Sequence, residues 1–380
     1  MGWKRNLMEG LLFTARRLVP NVVPSDASTF RSFFVLRNND LGDLLGITPM
    51  FEALKKTWPD CRIAVGVGDW ARPMLENNPW VDEVLPINAP WHNKAIKRQG
   101  LLSGLGYALF SSEVKALAQR RFDAGLDPLG SQLGSLLLMR SRIPTRIGVK
   151  GYAGGHSACN SYIQFDENRH IGKAALESAK MLEAKIDNIE TKPQLFLSPE
   201  EKAIGERAWD SSKERRRVII APGAGFAEKR WPLENFILLA KRITEESSTE
   251  IVILGSKEDA KDGAQIEEVM NSEAPKNDSM VRNLCGKTDL RKTFAITSRC
   301  DAVVSNTSLL MHVAGAFSIP NLVLLGPWYD SAKLHAKQWG HDETIVAGRE
   351  TEEGVKDLTP PEEAYDLFRK CLEYQPVSQN

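Results

Sequence analysis

The sequence lacks most of the features that would place its 380 residues outside the ordinary globular proteins. It has no net charge, because 49 basic residues balance 49 acidic ones, and this argues against bulk attraction to nucleic acid. No apolar run approaches the roughly 18 residues of a membrane span. The five cysteines show neither Cys-x-x-Cys pairing nor histidine partners at zinc spacing, and their odd number does not suit a disulfide framework. Reduced, mostly buried thiols are expected instead.

The N-terminal residues alternate basic and large apolar side chains. Glu9, Arg16 and Arg17 interrupt the apolar positions and no small-residue cleavage site is present, which is not typical of a signal peptide. The spacing predicts an amphipathic helix within residues 1–30, which either lies on a membrane or packs on the protein. Residues 91–150 carry ten Lys or Arg against three acidic residues, and anionic lipid would attract them if they share one face.

Strand-like and helical segments alternate along the rest of the chain, which indicates parallel, doubly wound sheets. The alternation breaks at Pro193 and Pro199 and then begins again, so two domains are expected. We assign residues 31–192 to the first α/β domain, 193–350 to the second and 351–380 to a closing helix. In such sheets ligands bind at the carboxyl ends of the strands, and two facing halves would form a cleft there.

Two short motifs that could bind nucleotides fail on inspection. The Gly-Lys-Thr of residues 286–288 would need a glycine where Val281 stands, so it is not a P-loop. Residues 66–70 supply only two glycines of the dinucleotide fingerprint, which argues against hydride chemistry.

Residues 221–232 are more informative, because small residues including Gly223 leave a strand and enter a helix. Such a loop exposes backbone N–H groups that favour an anion, and Lys229 and Arg230 add positive charge beside it. The alternative is a plain turn between strand and helix with two solvated bases.

Residues 303–316 repeat this pattern at a second strand end. Asn306, Thr307 and Ser308 can cap the following helix, whose N-terminus can face a phosphate. A simple cap explains Asn306 or Ser308 equally well. His312 lies one turn inside the helix and is expected to be packed and hydrogen-bonded, with no role as a general base.

Several of these segments together resemble glycosyltransferase family 9, the heptosyltransferases of lipopolysaccharide assembly. The resemblance follows the family's order and spacing over roughly residues 31–330. The segments that carry it are residues 37–60, 122–148, 222–243, 253–259 and 284–327.

The resemblance implies the GT-B architecture, which consists of two Rossmann-like α/β domains with acceptor bound by the first and nucleotide-sugar by the second. It implies neither a cofactor nor a required metal. Asp43 matches the family's proposed catalytic base, which would accept the proton of the acceptor hydroxyl. An aspartate near the start of a helix is also a common cap, which is the alternative role.

For the donor, the resemblance places Lys229 at the diphosphate. It places Asp259, or Glu258 if the register shifts by one, at the ribose. The family commonly has Asn-Asp-[Ser/Thr]-Gly where this chain has Asn306, Thr307, Ser308 and Leu309, and this departure leaves the identity of the donor open.

The sequence thus predicts an inverting glycosyltransferase that moves a sugar to a lipopolysaccharide-core or related glycolipid acceptor. Heptose from ADP-heptose is the expected donor, and the expected location is the inner face of the cytoplasmic membrane. A GT-B enzyme with another nucleotide-sugar, and a binding protein that has lost turnover, are the alternatives.

Overall fold

The structure is a computed structural model that describes residues 3–22, 26–97, 99–272, 276–351 and 354–373. The chain divides into two compact units, and the division falls between Pro193 and Gln194. Pro199 begins the first helix after the division, and a capping box formed by Ser198 and Glu201 fixes that start.

The first unit is built on a sheet of six parallel strands within the described residues. These strands are β1 (Ser32–Leu36), β2 (Arg62–Val67), β3 (Glu83–Pro86), β4 (Ala124–Leu126), β5 (Thr145–Lys150) and β6 (Ser161–Gln164). They lie in the order β3-β2-β1-β4-β5-β6, which is the strand order of the Rossmann fold. The carboxyl ends of all six strands therefore lie at one edge of the sheet.

Seven helices of the first unit are described, and those that follow strands connect them as parallel crossovers require. They are α1 (Trp3–Ala15), α2 (Leu41–Gly46), α3 (Pro49–Thr57), α4 (Leu101–Phe110), α5 (Ser112–Gln119), α6 (Gln132–Arg140) and α7 (Ile171–Lys180). Strand β1 is central in the sheet, and Phe33, Phe34 and Leu36 are all buried. Burial on both faces explains why this strand has a continuous apolar sequence.

The second unit repeats this architecture with another sheet of six parallel strands among the described residues. These strands are β7 (Arg216–Ala221), β8 (Thr249–Ile253), β9 (Met280–Asn283), β10 (Ala302–Ser305), β11 (Asn321–Leu324) and β12 (Thr344–Ala347). Their order, β12-β11-β10-β7-β8-β9, has the same topology as the first sheet. A two-stranded antiparallel ladder follows, formed by β13 (Arg349–Thr351) and β14 (Gly354–Asp357).

Helices again cover the second sheet. They are α8 (Pro199–Arg207), α9 (Leu233–Glu246), α10 (Ala260–Asn271), α11 (Leu290–Thr297), α12 (Leu309–Ala316), α13 (Ala332–Trp339) and α14 (Pro361–Leu372). The core of this unit includes Trp231 and Phe236, which meet edge to face at 4.9 Å between ring centroids. The final helix α14 buries Tyr365 and Phe368 in the same core, so it is part of the second unit.

The N-terminal helix α1 packs on the first unit with one face. Leu12 is buried against Met139 and Ala158, and the Glu9 carboxylate accepts backbone N–H groups of Gly155 at 2.5 Å and Ser157 at 3.2 Å. These contacts settle the packing of the predicted amphipathic helix. Its other face exposes large apolar side chains, namely Trp3, Leu7 and Leu11.

All five cysteines lie within the described residues, where they are buried and form no disulfide, as the sequence predicts. Burial raises the pKa of Cys61 to about 11 and that of Cys159 to about 12, so both thiols stay protonated at neutral pH. Among the described residues, no helix is both long enough and apolar enough to cross a bilayer.

Candidate functional site

Asp43 lies in the first turn of the short helix α2, which follows the carboxyl end of β1. Its carboxylate oxygen Oδ1 is 3.1 Å from a terminal guanidinium nitrogen of Arg37, and Arg37 Nε donates to the Asp43 carbonyl oxygen at 3.3 Å. The Arg37 side chain is only 2% exposed, whereas that of Asp43 is 29% exposed. A buried cation therefore fixes the orientation of a carboxylate that solvent, and hence a ligand, can still reach.

The position of the helix N-cap bears on the alternative role of Asp43. The N-cap of α2 is Asp40, whose side chain makes no capping hydrogen bond within the described residues. Asp43 lies three residues further on, and its carboxylate turns back to Arg37. The geometry therefore accounts for Asp43 as the partner of a buried arginine, and capping does not require it.

Two further polar groups lie near Arg37 and Asp43, and sequence reasoning identified neither as a site residue. Asp127 directly follows β4; burial raises the pKa of its carboxyl, while backbone N–H groups of Ser131 and Gly130 oppose that rise. His92 has a left-handed backbone with φ of 55°, and desolvation of its ring lowers its pKa, so the imidazole is neutral at neutral pH. Arg37, Asp43 and Asp127 are the charged groups close enough to act on His92.

Lys229 belongs to the loop that leaves β7, where residues 227–229 form one turn of 3-10 helix. Its ammonium nitrogen lies 5.6 Å from the ring centroid of Phe226, 5.9 Å from that of Trp328 and 5.5 Å from that of Tyr329. Three aromatic rings around one cation restrict where the ammonium group can lie. The predicted anion-binding loop therefore carries an oriented positive charge.

Gly223 lies at the start of the same loop, packed against the end of the neighbouring strand. A Cβ atom at this position would lie 2.5 Å from the carboxyl group of Asp259. Only glycine lets these two segments approach so closely.

The two acidic residues after β8 differ in their surroundings. Asp259 is buried; its Oδ1 accepts from Arg230 at 3.0 Å, and its Oδ2 accepts from the backbone N–H of Ser256 at 2.9 Å and the hydroxyl at 2.6 Å. Glu258 is exposed beside it. Arg230 also pairs with Asp262 at 2.8 Å, which ties α10 to the Lys229 loop. Asp259 thus holds two loops together, while Glu258 faces solvent.

Asn306, at the end of β10, is fully buried and bonded to backbone through both ends of its amide. Its oxygen accepts from the N–H of Trp231 at 2.8 Å, and its nitrogen donates to the carbonyl of Pro222 at 2.6 Å. Asn306 therefore positions the loop that carries Gly223 and Lys229.

Thr307 and Ser308 precede helix α12. The Thr307 hydroxyl contacts the Tyr329 hydroxyl, and burial raises the pKa of Tyr329. Ser308 has the extended backbone of an N-cap, but its hydroxyl oxygen is buried and has no hydrogen-bond partner among the described residues. A buried hydroxyl and open backbone N–H groups at one helix N-terminus are suited to bind an anion.

His312 is buried in α12, and its Nδ1 lies 3.3 Å from Nε2 of His341. The prediction of a packed, hydrogen-bonded histidine is confirmed.

The sequence-predicted residues thus fall into two groups, one at the carboxyl edge of each sheet. Asp43 follows β1 in the first unit. In the second unit, the loops after β7, β8 and β10 carry the rest, and the sheet order places these three strands side by side. Tyr329 and Trp328, which follow β11, were not predicted; the only signal in the sequence was their position after a strand.

Two Rossmann-type sheets in one chain are the architecture of the GT-B class, which the fold here has. A model of "Glycosyltransferase family 9 (heptosyltransferase)" matches residues 111–363. The chain belongs to this family, as its sequence motifs predict.

Individual relatives agree with this assignment. The chain is 29% identical over 299 residues to lipopolysaccharide heptosyltransferase 2 of Salmonella typhimurium, which covers 76% of this chain and 80% of that protein. The fold is similar to that of E. coli ADP-heptose lps heptosyltransferase II, with a TM-score of 0.70 and 24% identity over 90% of this chain and 98% of that one. It is also similar to a family 9 glycosyltransferase from Veillonella parvula, with a TM-score of 0.72 and 18% identity over 93% and 99%. The predicted GT-B fold is confirmed.

Proposed function

We propose that this glycosyltransferase moves a heptose from ADP-heptose to a lipopolysaccharide-core or related glycolipid acceptor, with inversion at the anomeric carbon. The observation that carries the proposal is the partly exposed Asp43 carboxylate, held by the buried Arg37 at the carboxyl edge of the first sheet. The names of the similar heptosyltransferases support the choice of sugar and acceptor.

Asp43 acts as the general base in this mechanism. Its carboxylate accepts the proton of an acceptor hydroxyl as that oxygen attacks the anomeric carbon of the donor. The new C–O bond forms while the bond from the anomeric carbon to the diphosphate breaks, so the proton ends on Asp43 and ADP leaves with the bonding electron pair. Arg37 keeps the carboxylate oriented while its charge is neutralised.

The second unit binds the donor and stabilises the departing diphosphate. The Lys229 ammonium and the N-terminus of α12, with the Ser308 hydroxyl, supply positive charge and hydrogen-bond donors without a metal ion. Asp259 and Asn306 hold these loops in place, and the exposed Glu258 accepts hydrogen bonds from the ribose hydroxyls.

A transfer assay with radiolabelled nucleotide-sugars and cell glycolipid tests the proposal. We expect labelled glycolipid from ADP-heptose, and expect Lys229→Ala to lower both donor affinity and turnover. Transfer from another nucleotide-sugar alone would favour a different donor, to which Thr307 and Leu309 point as departures from the family pattern. Donor binding with no transfer to any glycolipid would indicate a protein that has lost turnover.

We also propose that the first unit binds the inner face of the cytoplasmic membrane through α1 and α4. Both helices pack on α6 and expose large apolar side chains, which on α1 include Leu7 and Leu11 and on α4 include Leu102 and Phe110. Arg16 and Arg17 flank the apolar stripe of α1 and favour anionic lipid.

The ten bases of residues 91–150 do not all contribute to such a face. Arg146 is completely buried and donates to backbone carbonyls, including that of Ala158 at 2.8 Å. Arg120 pairs with Glu83 at 2.8 Å. The lipid-binding surface therefore depends on the two helices more than on the total charge of this segment.

Vesicle co-sedimentation measures this contact. We expect binding to anionic vesicles that weakens at high salt and is lost in a variant with Leu7→Ser and Leu11→Ser, which leaves the buried Leu12 in place. Leu238→Ser, at an exposed leucine of the second unit, is the matched control. Equal recovery on neutral and anionic vesicles would contradict the proposal.

A further inference from the structure

Two loops of the second unit place three aromatic rings together at the carboxyl edge of the sheet. Phe226 belongs to the loop after β7, while Trp328 and Tyr329 belong to the loop after β11. The rings of Phe226 and Trp328 are nearly parallel, with an interplanar angle of 21° and centroids 6.2 Å apart. Lys229 lies within 6 Å of all three ring centroids, as described above.

The backbone holds these two loops in a fixed arrangement. Trp328 N–H donates to the carbonyl oxygen of Glu228 at 3.2 Å. A Cβ atom on Gly326 would lie 2.6 Å from the carbonyl oxygen of Arg230, so glycine permits direct contact between the two backbones. The aromatic rings are therefore presented on a rigid support.

Two of these rings remain open to solvent. Trp328 is 57% exposed and Phe226 is 50% exposed, although each is large enough to stabilise a core by burial. A single exposed ring needs no explanation. Two nearly parallel exposed rings beside an oriented cation form a surface suited to a ligand with both an apolar face and a negative charge.

The order of strands indicates which part of the donor meets this surface. Strands β8, β7, β10 and β11 are consecutive neighbours in the sheet. Glu258 follows β8, Lys229 follows β7 and Ser308 follows β10, so a ribose and a diphosphate bound to these groups extend along the sheet edge in that direction. The group beyond the diphosphate, which is the sugar, then lies next to the loop after β11.

We propose that Trp328 and Phe226 form the subsite for the transferred sugar, and that the paired hydroxyls of Tyr329 and Thr307 hydrogen-bond to one of its hydroxyl groups. The C–H groups on one face of a sugar ring carry small positive charges and pack on the negative face of an aromatic ring. Hydroxyl groups can both donate and accept, which suits a sugar hydroxyl. This inference rests on the proposed function, because it requires a nucleotide-sugar at Lys229.

Calorimetric titration of ADP and of ADP-heptose, without acceptor, tests the subsite. Trp328→Ala should weaken ADP-heptose binding by about tenfold, which corresponds to about 1.4 kcal/mol, and change ADP binding by less than about threefold. Trp328→Phe, which keeps an aromatic face, should restore most of the loss. Tyr162→Ala is the matched control, because Tyr162 is also exposed and also has a lysine, Lys150, at 5.4 Å from its ring centroid.

The other outcomes separate this inference from the proposed function. Equal weakening of ADP and ADP-heptose would show that Trp328 acts only through Lys229 and would overturn the sugar subsite. Wild-type affinity of Trp328→Ala for both ligands would overturn it as well, while donor binding by the parent protein would leave the proposed function intact. If the parent protein binds neither ligand, both the proposed function and the subsite are wrong.

Discussion

The two units share one strand order but hold their functional groups in different ways. In the first unit a single buried arginine fixes Asp43 by direct charge pairing. In the second unit the important groups lie on several loops, which Asn306 and Asp259 tie together by hydrogen bonds and ion pairs. One fold therefore supports a site that depends on one pair and a site that depends on a network.

The terminal helices of the two units also differ. Helix α14 docks in the ordinary way, with Tyr365 and Phe368 in the core and charged residues outside. Helix α1 docks partly through a carboxylate, Glu9, and leaves an apolar stripe outside. An outward apolar face on a helix that is already held in place indicates an interaction beyond the fold itself.

Removing the charge of Asp43 should have the largest effect. Asp43→Asn preserves size and can still accept from Arg37, but it cannot take a proton, so kcat should fall by roughly 10²- to 10⁴-fold. The folded fraction, followed by circular dichroism, should stay near that of the parent protein. Asp40→Asn, the same change at the N-cap of the same helix, is the control and should keep most activity. Near-normal turnover of Asp43→Asn would show that the base lies elsewhere.

The second prediction separates support from ligand contact in the network of the second unit. Asp259→Asn breaks the charge pairing with Arg230, so we expect a loss of about 1–3 kcal/mol in the free energy of unfolding together with weaker ADP binding. Glu258→Gln should leave stability unchanged but reduce the preference for ADP over 2′-deoxy-ADP. Thermal unfolding and calorimetry measure the two effects. An unstable Glu258→Gln variant, or a stable Asp259→Asn variant that has lost only ribose discrimination, would exchange the two roles.

Much of this arrangement could be predicted from sequence, because central strands have strong signals. Strands β1, β7 and β10 are buried, so their apolar runs are unmistakable. The edge strands β6, β9 and β12 were not predicted, because they are short and partly exposed and carry polar residues. Their pairing depends on the neighbouring strand, which local sequence does not encode.

The candidate site shows the same limit. Asp43, Lys229 and Thr307 follow strands, and position alone was enough to select them. That Arg230 would engage Asp259, or that Tyr329 would meet Thr307, depends on loops distant in sequence, and no periodicity or spacing reports such pairs.

The third prediction concerns Thr307, which contacts Tyr329 and stands where the family commonly has aspartate. A carboxylate close to a diphosphate would repel it, so that aspartate more plausibly serves the sugar hydroxyls. We expect ADP to bind Thr307→Asp within about tenfold of the parent protein, a difference of about 1.4 kcal/mol, while relative turnover among sugar donors changes more. Thr307→Ser keeps the hydroxyl and is the control. Collapse of ADP binding with unchanged donor preference would show that Thr307 serves the phosphates.

The smallest effect is expected at Glu9, and it concerns how α1 is attached. Burial by itself raises the pKa of Glu9, but hydrogen bonds from Gly155, Ser157 and Gln132 outweigh it and leave the pKa below its ordinary value. A carboxyl group with a lowered pKa in the folded state stabilises the fold above its ordinary pKa, and this contribution is lost as the pH falls through the lowered value. Glu9→Gln should therefore reduce the free energy of unfolding by about 1 kcal/mol at pH 7.

The pH dependence of that difference is the decisive measurement. The gap in melting temperature between Glu9→Gln and the parent protein should be widest near neutral pH and should close in acid, once the carboxyl group of the parent protein is protonated. His156 lies 3.3 Å from the Glu9 carboxylate, so the same pair of proteins in a His156→Asn background removes its titration from the comparison. Glu362→Gln, an exposed change on α14, should show no such gap, because α14 is held by apolar packing. A gap that persists unchanged in acid would mean that Leu12 and its neighbours hold α1 without help from the carboxylate, and the two terminal helices would then be attached in the same way.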